Sequence, residues 1–324
     1  DGLVREALLA NTDLRTAEAQ LRAARAARGV ARSGLGPSLS ASASARRTDG
    51  SAGTSSGAAT ELYSAGFDAS WEPDIFGGAR RGLEAAEASL QASREDLHNT
   101  QLSLVAEVAR NYTDLRTLEK RLEITQANLA TQQETYNLTS WRYQAGLVSA
   151  LDVAQARTQL EQTRASLPSL QTSVTQARNR LAILLGRTPG TLDARLEATG
   201  NIPTADDRIA AGIPADILRQ RPDVRASERR LAAQTARLGE AEAARYPNFQ
   251  LTGSIGLDAL SLSGLTDGNA DTNSLFGGIT APIFQSGRIS STIAREDALL
   301  EQARVAYEAA VLNALEDVEN ALAA

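Results

Sequence analysis

The stretch Leu62-Tyr63-Ser64-Ala65-Gly66-Phe67-Asp68-Ala69-Ser70-Trp71-Glu72 sets the reading of the whole chain. Its odd positions are Tyr, Ala, Phe, Ala and Trp, while the even ones include Ser64, Asp68, Ser70 and Glu72. A period of two places these sets on opposite faces of a β-strand. Three further segments read the same way. Leu39 to Ala45 alternates Leu or Ala with Ser. Phe249, Leu251, Ile255 and Leu257 share a face opposite Gln250, Thr252 and Ser254. Leu275, Ile279, Ala281 and Ile283 share a fourth face, whose polar side is interrupted by Phe276 and Phe284. Polar loops at 47–60 and 258–273 carry the turn signals Asp49-Gly50 and Asp267-Gly268, so two β-hairpins are expected, at about 37–72 and 247–284. Alternation alone fits a half-buried soluble hairpin as well as a membrane strand, which needs only about 9–11 residues.

The two hairpins belong to a duplication. Asp13, Leu14, Arg15, Glu18 and Leu21 match Asp223, Val224, Arg225, Glu228 and Leu231 at an offset of 210, as do Pro37 and Leu39 with Pro247 and Phe249. Ile75-Phe76 and Arg80 match Ile283-Phe284 and Arg288 at an offset of 208. Each copy reads as helix, Pro, hairpin and long helix, which is the signature of an internal repeat. The expected organisation is a first repeat over 1–118, the rest of a long helix with its tip and return helix over 119–185, a linker over 186–212, and a second repeat over 213–324.

Between Gly82 and Tyr143 no Pro or Gly interrupts the pattern. With Gly78 as its start, the helix is roughly 90–100 Å long at about 1.5 Å per residue. Val108, Leu115, Leu122, Leu129, Tyr136 and Tyr143 recur every seventh residue, as do Val153, Leu160, Leu167, Val174 and Leu181 on the return. Sustained heptads predict coiled-coil seams. The short connection Gln144 to Ser149 makes the two helices an antiparallel hairpin. Gly146 suits the end of the first helix, and Ser149 with Asp152 suits the cap and first-turn acid of the second. Pro168 removes a rung from the return helix and is expected to kink it.

Composition removes most enzymatic readings. The 324 residues contain no Cys and one His, His98, so disulfides, thiolate sites and a Ser-His-Asp triad have no raw material. No metal or cofactor site is expected, and no catalysis. Glu316, Asp317 and Glu319 read as a solvated acidic face, and Gly77-Gly78 lacks the rest of a phosphate-loop motif. A net charge of −6 argues against a nucleic-acid partner. The chain opens on Asp1 and has no Met, which reads as a processed or excised piece, so a leader or a lipid-anchor cysteine is expected outside it. The second copy stops within its long helix, so the natural chain is expected to continue beyond Ala324 into a second returning helix. No stretch suits a transmembrane helix, which needs about 20 apolar residues.

Four strands cannot close a barrel, for which about eight is the practical minimum. Open edges are forbidden in lipid, so membrane hairpins would require assembly, with two chains supplying eight strands and three supplying twelve. Twelve strands enclose a water-filled lumen, which suits the Ser, Thr and Asp faces.

Six motifs carry a family resemblance. They are Trp71-Glu-Pro-Asp-Ile-Phe-Gly77, Arg142-Tyr-Gln-Ala-Gly-Leu-Val-Ser-Ala-Leu-Asp152, Leu184-Leu-Gly-Arg-Thr-Pro-Gly190, Ile213-Pro-Ala-Asp-Ile-Leu-Arg-Gln-Arg-Pro-Asp-Val224, Ala281-Pro-Ile-Phe284 and Leu315-Glu-Asp-Val-Glu-Asn320. Together and in this order the chain resembles the outer-membrane efflux, or TolC-like, family, and within it the nodulation-type lipoprotein branch serving resistance-nodulation-division pumps. The resemblance implies a mainly α fold with β. It further implies a homotrimer whose four strands per chain build a 12-stranded transmembrane β-barrel that continues into a periplasmic α-barrel of coiled-coil hairpins.

The resemblance also implies a function: a passive exit duct for small molecules or drugs in the outer membrane of a Gram-negative bacterium, coupled to an inner-membrane transporter through a periplasmic adaptor. The family's hairpin tip docks on the adaptor and maps here onto Arg142, Gly146, Ser149 and Asp152. Each has a plainer reading as a solvated side chain, a helix end or a cap. The family's acidic gate lies chiefly in a second hairpin that this sequence does not contain, so no gate residues carry over. The alternative from another class is a soluble periplasmic coiled-coil scaffold or adaptor.

Overall fold

A computed structural model describes residues 2–49, 59–196, 202–203 and 218–323. The expected segment 186–212 and the motif beginning at Ile213 therefore lie partly outside the described residues. The chain divides into two compact units, one of residues 1–19 with 97–212 and the other of residues 20–96 with 213–324.

The first unit is helical. It comprises α1 (Gly2–Ala10), the start of α2 (Thr12–Ser33), the later part of α3 (Gly78–Gln144), α4 (Ala150–Leu184) and a short α5 (Asp193–Leu196). The heptad residues make its core: Val108 and Leu115 from α3 and Val174 and Leu181 from α4 are buried together with Leu14, Leu185, Leu192 and Leu196. Period-seven spacing keeps one stripe facing its partner along the whole hairpin. Burial fades toward the turn, where Leu129 and Tyr136 are half-buried and Tyr143 is exposed. Helix α4 runs through Pro168 without interruption. The Thr172 hydroxyl donates to the Pro168 carbonyl (2.9 Å) and the Ser169 hydroxyl to Ser166 O (2.8 Å).

Polar side chains pin this unit at buried positions. Asn11 separates α1 from α2; its Oδ1 accepts from the Asp13 and Leu14 amides, while its Nδ2 donates to Leu184 O at 3.0 Å. One side chain thus caps a helix and satisfies a carbonyl at the end of another, both groups that a helix terminus leaves open. Arg116, 5% exposed as a side chain, donates to Glu119 Oε2 (2.6 Å) and lies over the Tyr112 ring, and Arg178 meets the other oxygen of Glu119 at 2.9 Å. Burial of these charges is tolerated because each has a charged partner.

The second unit holds the sheet. Strands β1 (Ser38–Thr48), β2 (Thr60–Trp71), β3 (Asn248–Ala259) and β4 (Asp271–Thr280) form one antiparallel sheet in the order β1-β2-β3-β4. Two hairpins are present, and β2 pairs with β3 to join them. β4 stops at Thr280, however, so Ala281, Ile283 and Phe284 of the expected fourth segment lie beyond it, next to Pro282, which has no N–H for a ladder. A short 3-10 turn, Ser263–Thr266, sits between β3 and β4. Beside the sheet, the unit contains the rest of α2 and α3 with α6 (Pro222–Ala243) and α7 (Arg288–Ala323).

These helices meet through small residues, with Ala85, Ala88, Ala92, Ala226, Ala233 and Ala236 all buried. Ion pairs Arg28–Glu87, Arg225–Glu95 and Arg230–Asp96 flank the contact. Gln234 Nε2 donates to the buried Glu296 at 2.7 Å, and Arg295 lies against the same carboxylate. Hydrogen bonds from Arg295 first and Gln234 second hold the Glu296 carboxyl below its ordinary range.

Candidate functional site

Two surfaces stand out, and the first is the sheet. Its register is even-on-even and odd-on-odd across all three seams: Ala41 pairs with Phe67, Phe67 with Ile255, and Leu251 with Gly277. The strand alternation is therefore preserved laterally, and the sheet has one apolar and one polar face. The apolar face is open. Leu39 is 73% exposed, Ile255 65%, Leu275 79% and Ile279 67%. A soluble sheet covers such a face with helices or a second sheet.

The opposite face is built mainly of hydroxyls and glycines, with Asp68, Asp258, Arg46 and the amides Asn248 and Gln250 among them. Ser42 donates to Asp68 Oδ2 (2.8 Å), and the Ser254 and Ser274 hydroxyls share a hydrogen bond of 2.7 Å. β1 and β4 each keep one edge without a strand partner among the described residues. Where the strands give way to helices, Phe76 stacks on Tyr246 at 4.9 Å and lies 6.4 Å from Phe249. Trp71 is close in sequence, and its indole N–H donates to Leu35 O.

The second surface is the turn between α3 and α4, where the sequence placed Arg142, Gly146, Ser149 and Asp152. Helix α3 ends in paired hydrogen bonds, Gly146 N to Tyr143 O and Leu147 N to Arg142 O, both 2.9 Å. This is the geometry of a left-handed helix terminator. Gly146 supplies it at φ +73°, in open space. Ser149 then caps α4 reciprocally. Its backbone N–H and hydroxyl donate to Asp152 Oδ2 at 2.8 and 2.6 Å, and its hydroxyl oxygen accepts from the Asp152 amide. The hydrogen bonds from Ser149 hold the Asp152 carboxyl below the usual aspartate range.

The structure thus brings Ser149 and Asp152 together and sets the Arg142 carbonyl in the turn. Three apolar neighbours complete the tip: Trp141 is 65% exposed, Leu147 70% and Leu151 65%. Trp141 and Leu151 lie off the heptad lines beside a turn, and that displacement is the signal by which sequence could have found them.

Other candidates are quiet. Asp317 of the acidic run pairs with Arg221 at 2.8 Å. Among the described residues no cluster of three or more potential metal ligands occurs, and no helix is long and apolar enough to cross a membrane.

Comparison with known proteins agrees with this geometry. Residues 3–187 and 213–324 match the outer membrane efflux protein family. Nodulation protein T of Rhizobium leguminosarum bv. trifolii is 34% identical over 267 residues, which cover 79% of this chain and 54% of the relative. Outer membrane protein OprJ of Pseudomonas aeruginosa is 34% identical over 254 residues, covering 78% of this chain and 53% of the relative. The solved outer-membrane channel OprN superposes with a TM-score of 0.94 at 37% identity, over 99% of this chain and 73% of that one. The chain spans about half the length of the curated relatives it matches.

Proposed function

This chain belongs to the outer membrane efflux protein family, and on that premise we propose that it serves as the outer-membrane channel of a tripartite efflux pump, a passive duct for small molecules. The observation that carries the reading is the sheet with its exposed apolar face and polar reverse. In water that face is a liability, since an open apolar surface of this extent drives association. In lipid it is a barrel wall, with hydrocarbon outside and water inside. The alternative of a soluble scaffold leaves Leu39, Ile255, Leu275 and Ile279 without a reason to be bare.

Open edges in lipid leave backbone groups unsatisfied, each costing several kcal/mol. Four strands from each of three copies close the ring at twelve, so the reading requires a homotrimer. Trp71 and Tyr246 then suit the membrane–water boundary, where such side chains place an apolar body in lipid and a polar tip in water, and Phe76 stacks on Tyr246 there. The turn between α3 and α4 suits docking to a periplasmic adaptor, with Leu147 and Trp141 as the apolar contacts and Arg142 as the charged one. An inner-membrane transporter of the resistance-nodulation-division class completes the pump.

The test sets two adjacent residues of β4 against each other. Leu275→Lys puts a charge on the apolar face, at a cost of about 2–4 kcal/mol near the bilayer midplane, whereas Ser274→Lys puts it on the polar face. By native mass spectrometry of detergent-purified intact protein, the wild type and Ser274→Lys should be trimers, and Leu275→Lys should fail to assemble. A wild type that is a stable monomer in detergent, or two variants that behave alike, would overturn the reading.

A further inference from the structure

Phe276 breaks the chemistry of the polar face. Among the described strand residues on that side, only Leu62 and Phe276 are large and apolar. Leu62 lies near the start of β2, opposite Arg46. Phe276 lies midway along β4, in a lateral row with Thr252, Ser70 and Ser38. It is 61% exposed, so it does not repay its presence by packing within its own chain. One edge of its ring leans toward Gly278: a Cβ at 278 would fall 2.9 Å from Phe276 Cε1 and 3.2 Å from Cζ. Glycine there leaves room for the edge of the ring, which a larger residue would meet.

We propose that Phe276 is a cargo-contact residue, one aromatic station per copy on the water-filled side of the barrel, for amphipathic small molecules that carry an aromatic or apolar group. The inference rests on the channel reading above. A wall of hydroxyls and carboxylates passes water and ions but offers nothing to an apolar solute. A ring exposes a quadrupolar face that attracts other rings and cationic groups alike. Its row, Thr252, Ser70 and Ser38, supplies hydroxyl partners for the polar part of such a solute. The station is shallow and open, as passage requires, because a site in a duct must release what it holds.

A competing role follows from position. β4 is an edge strand of the sheet, so a neighbouring copy could cover the ring, making it a packing contact between copies. One experiment separates the two. The intact protein is reconstituted in planar bilayers and its ionic current measured against tetraphenylphosphonium and against tetraethylammonium, cations of equal charge with and without rings. The wild type should be blocked more strongly by tetraphenylphosphonium. Phe276→Ser should weaken that block by at least about fivefold, leave tetraethylammonium unchanged and keep the trimer intact, and Phe276→Trp should restore the block.

Equal tetraphenylphosphonium block in wild type and Phe276→Ser would overturn the proposal while leaving the channel standing. Loss of the trimer in Phe276→Ser would overturn it in favour of packing between copies. A wild-type protein that gives neither trimer nor current would remove the channel reading itself, and the cargo station with it.

Discussion

Gly66 and Gly256 face each other across the β2–β3 seam, so closely that a Cβ on either would stand 2.9 Å from the Cα of the other. The same Cβ on Gly66 would lie 2.8 Å from Ile255 O, and on Gly256 2.7 Å from Ala65 O. Both obstacles are backbone, which cannot swing aside as a side chain can. The paired glycines sit on the polar face and let the two hairpins approach at the one seam that joins them.

Gly66→Ala should therefore weaken the union of the hairpins by about 1–3 kcal/mol, the usual range for an overpacked site. The loss should appear as a lower thermal midpoint of the detergent-solubilised assembly. Gly253→Ala is the control, because its Cβ would meet only ordinary contacts, the nearest being Ser274 O at 3.5 Å. Equal melting of the two variants would refute a steric role for the glycine pair.

At the helical tip, shape and chemistry separate. Ser149→Ala removes the reciprocal cap of α4 and should cost about 0.5–2 kcal/mol locally, visible as faster hydrogen exchange in the first turn after residue 149. Leu147→Ser leaves the cap in place and removes an exposed apolar side chain. It should abolish crosslinking to the adaptor with the trimer folded. Adaptor crosslinking that survives Leu147→Ser would speak against docking through this side chain.

Glu6 ties α1 to the segment after α4. Arg195 donates to its Oε2 at 2.7 Å, and Arg187 lies against the other oxygen. The hydrogen bond from Arg195, helped by Arg187 and opposed by partial burial, holds the carboxyl below the ordinary glutamate range. A carboxyl depressed in the folded state stabilises above its unfolded pKa, and that contribution drains away as pH falls through the folded value. Thermal midpoints of the wild type should therefore fall from pH 6 toward acid more steeply than those of Glu6→Gln. At pH 7 the substitution should cost no more than about 1 kcal/mol, because solvent screens a pair this open. Parallel pH profiles for the two proteins would exclude the clamp as a source of acid sensitivity.

Local periodicity determined much of this protein. The heptads of Val108, Leu115, Val174 and Leu181 marked the helical core, and the alternation from Leu62 to Glu72 marked a two-faced strand. Ser149 and Asp152 announced their cap because the two groups lie within one helical turn. Such signals are readable because spacing along the chain is already distance in space. The tertiary structure alone decided the rest. Gly66 and Gly256 are 190 positions apart, and neither carries a mark of the other. Asn11 reaches the Leu184 carbonyl and Glu6 reaches Arg187 and Arg195 only because the helices return to the same place. Phe276 read as a flaw in a polar face until the register of β3 and β4 set it in a row of hydroxyls. A chain's pattern specifies which faces each element owns, but which faces meet depends on loop closure and packing among elements far apart in sequence, and a single local window contains neither.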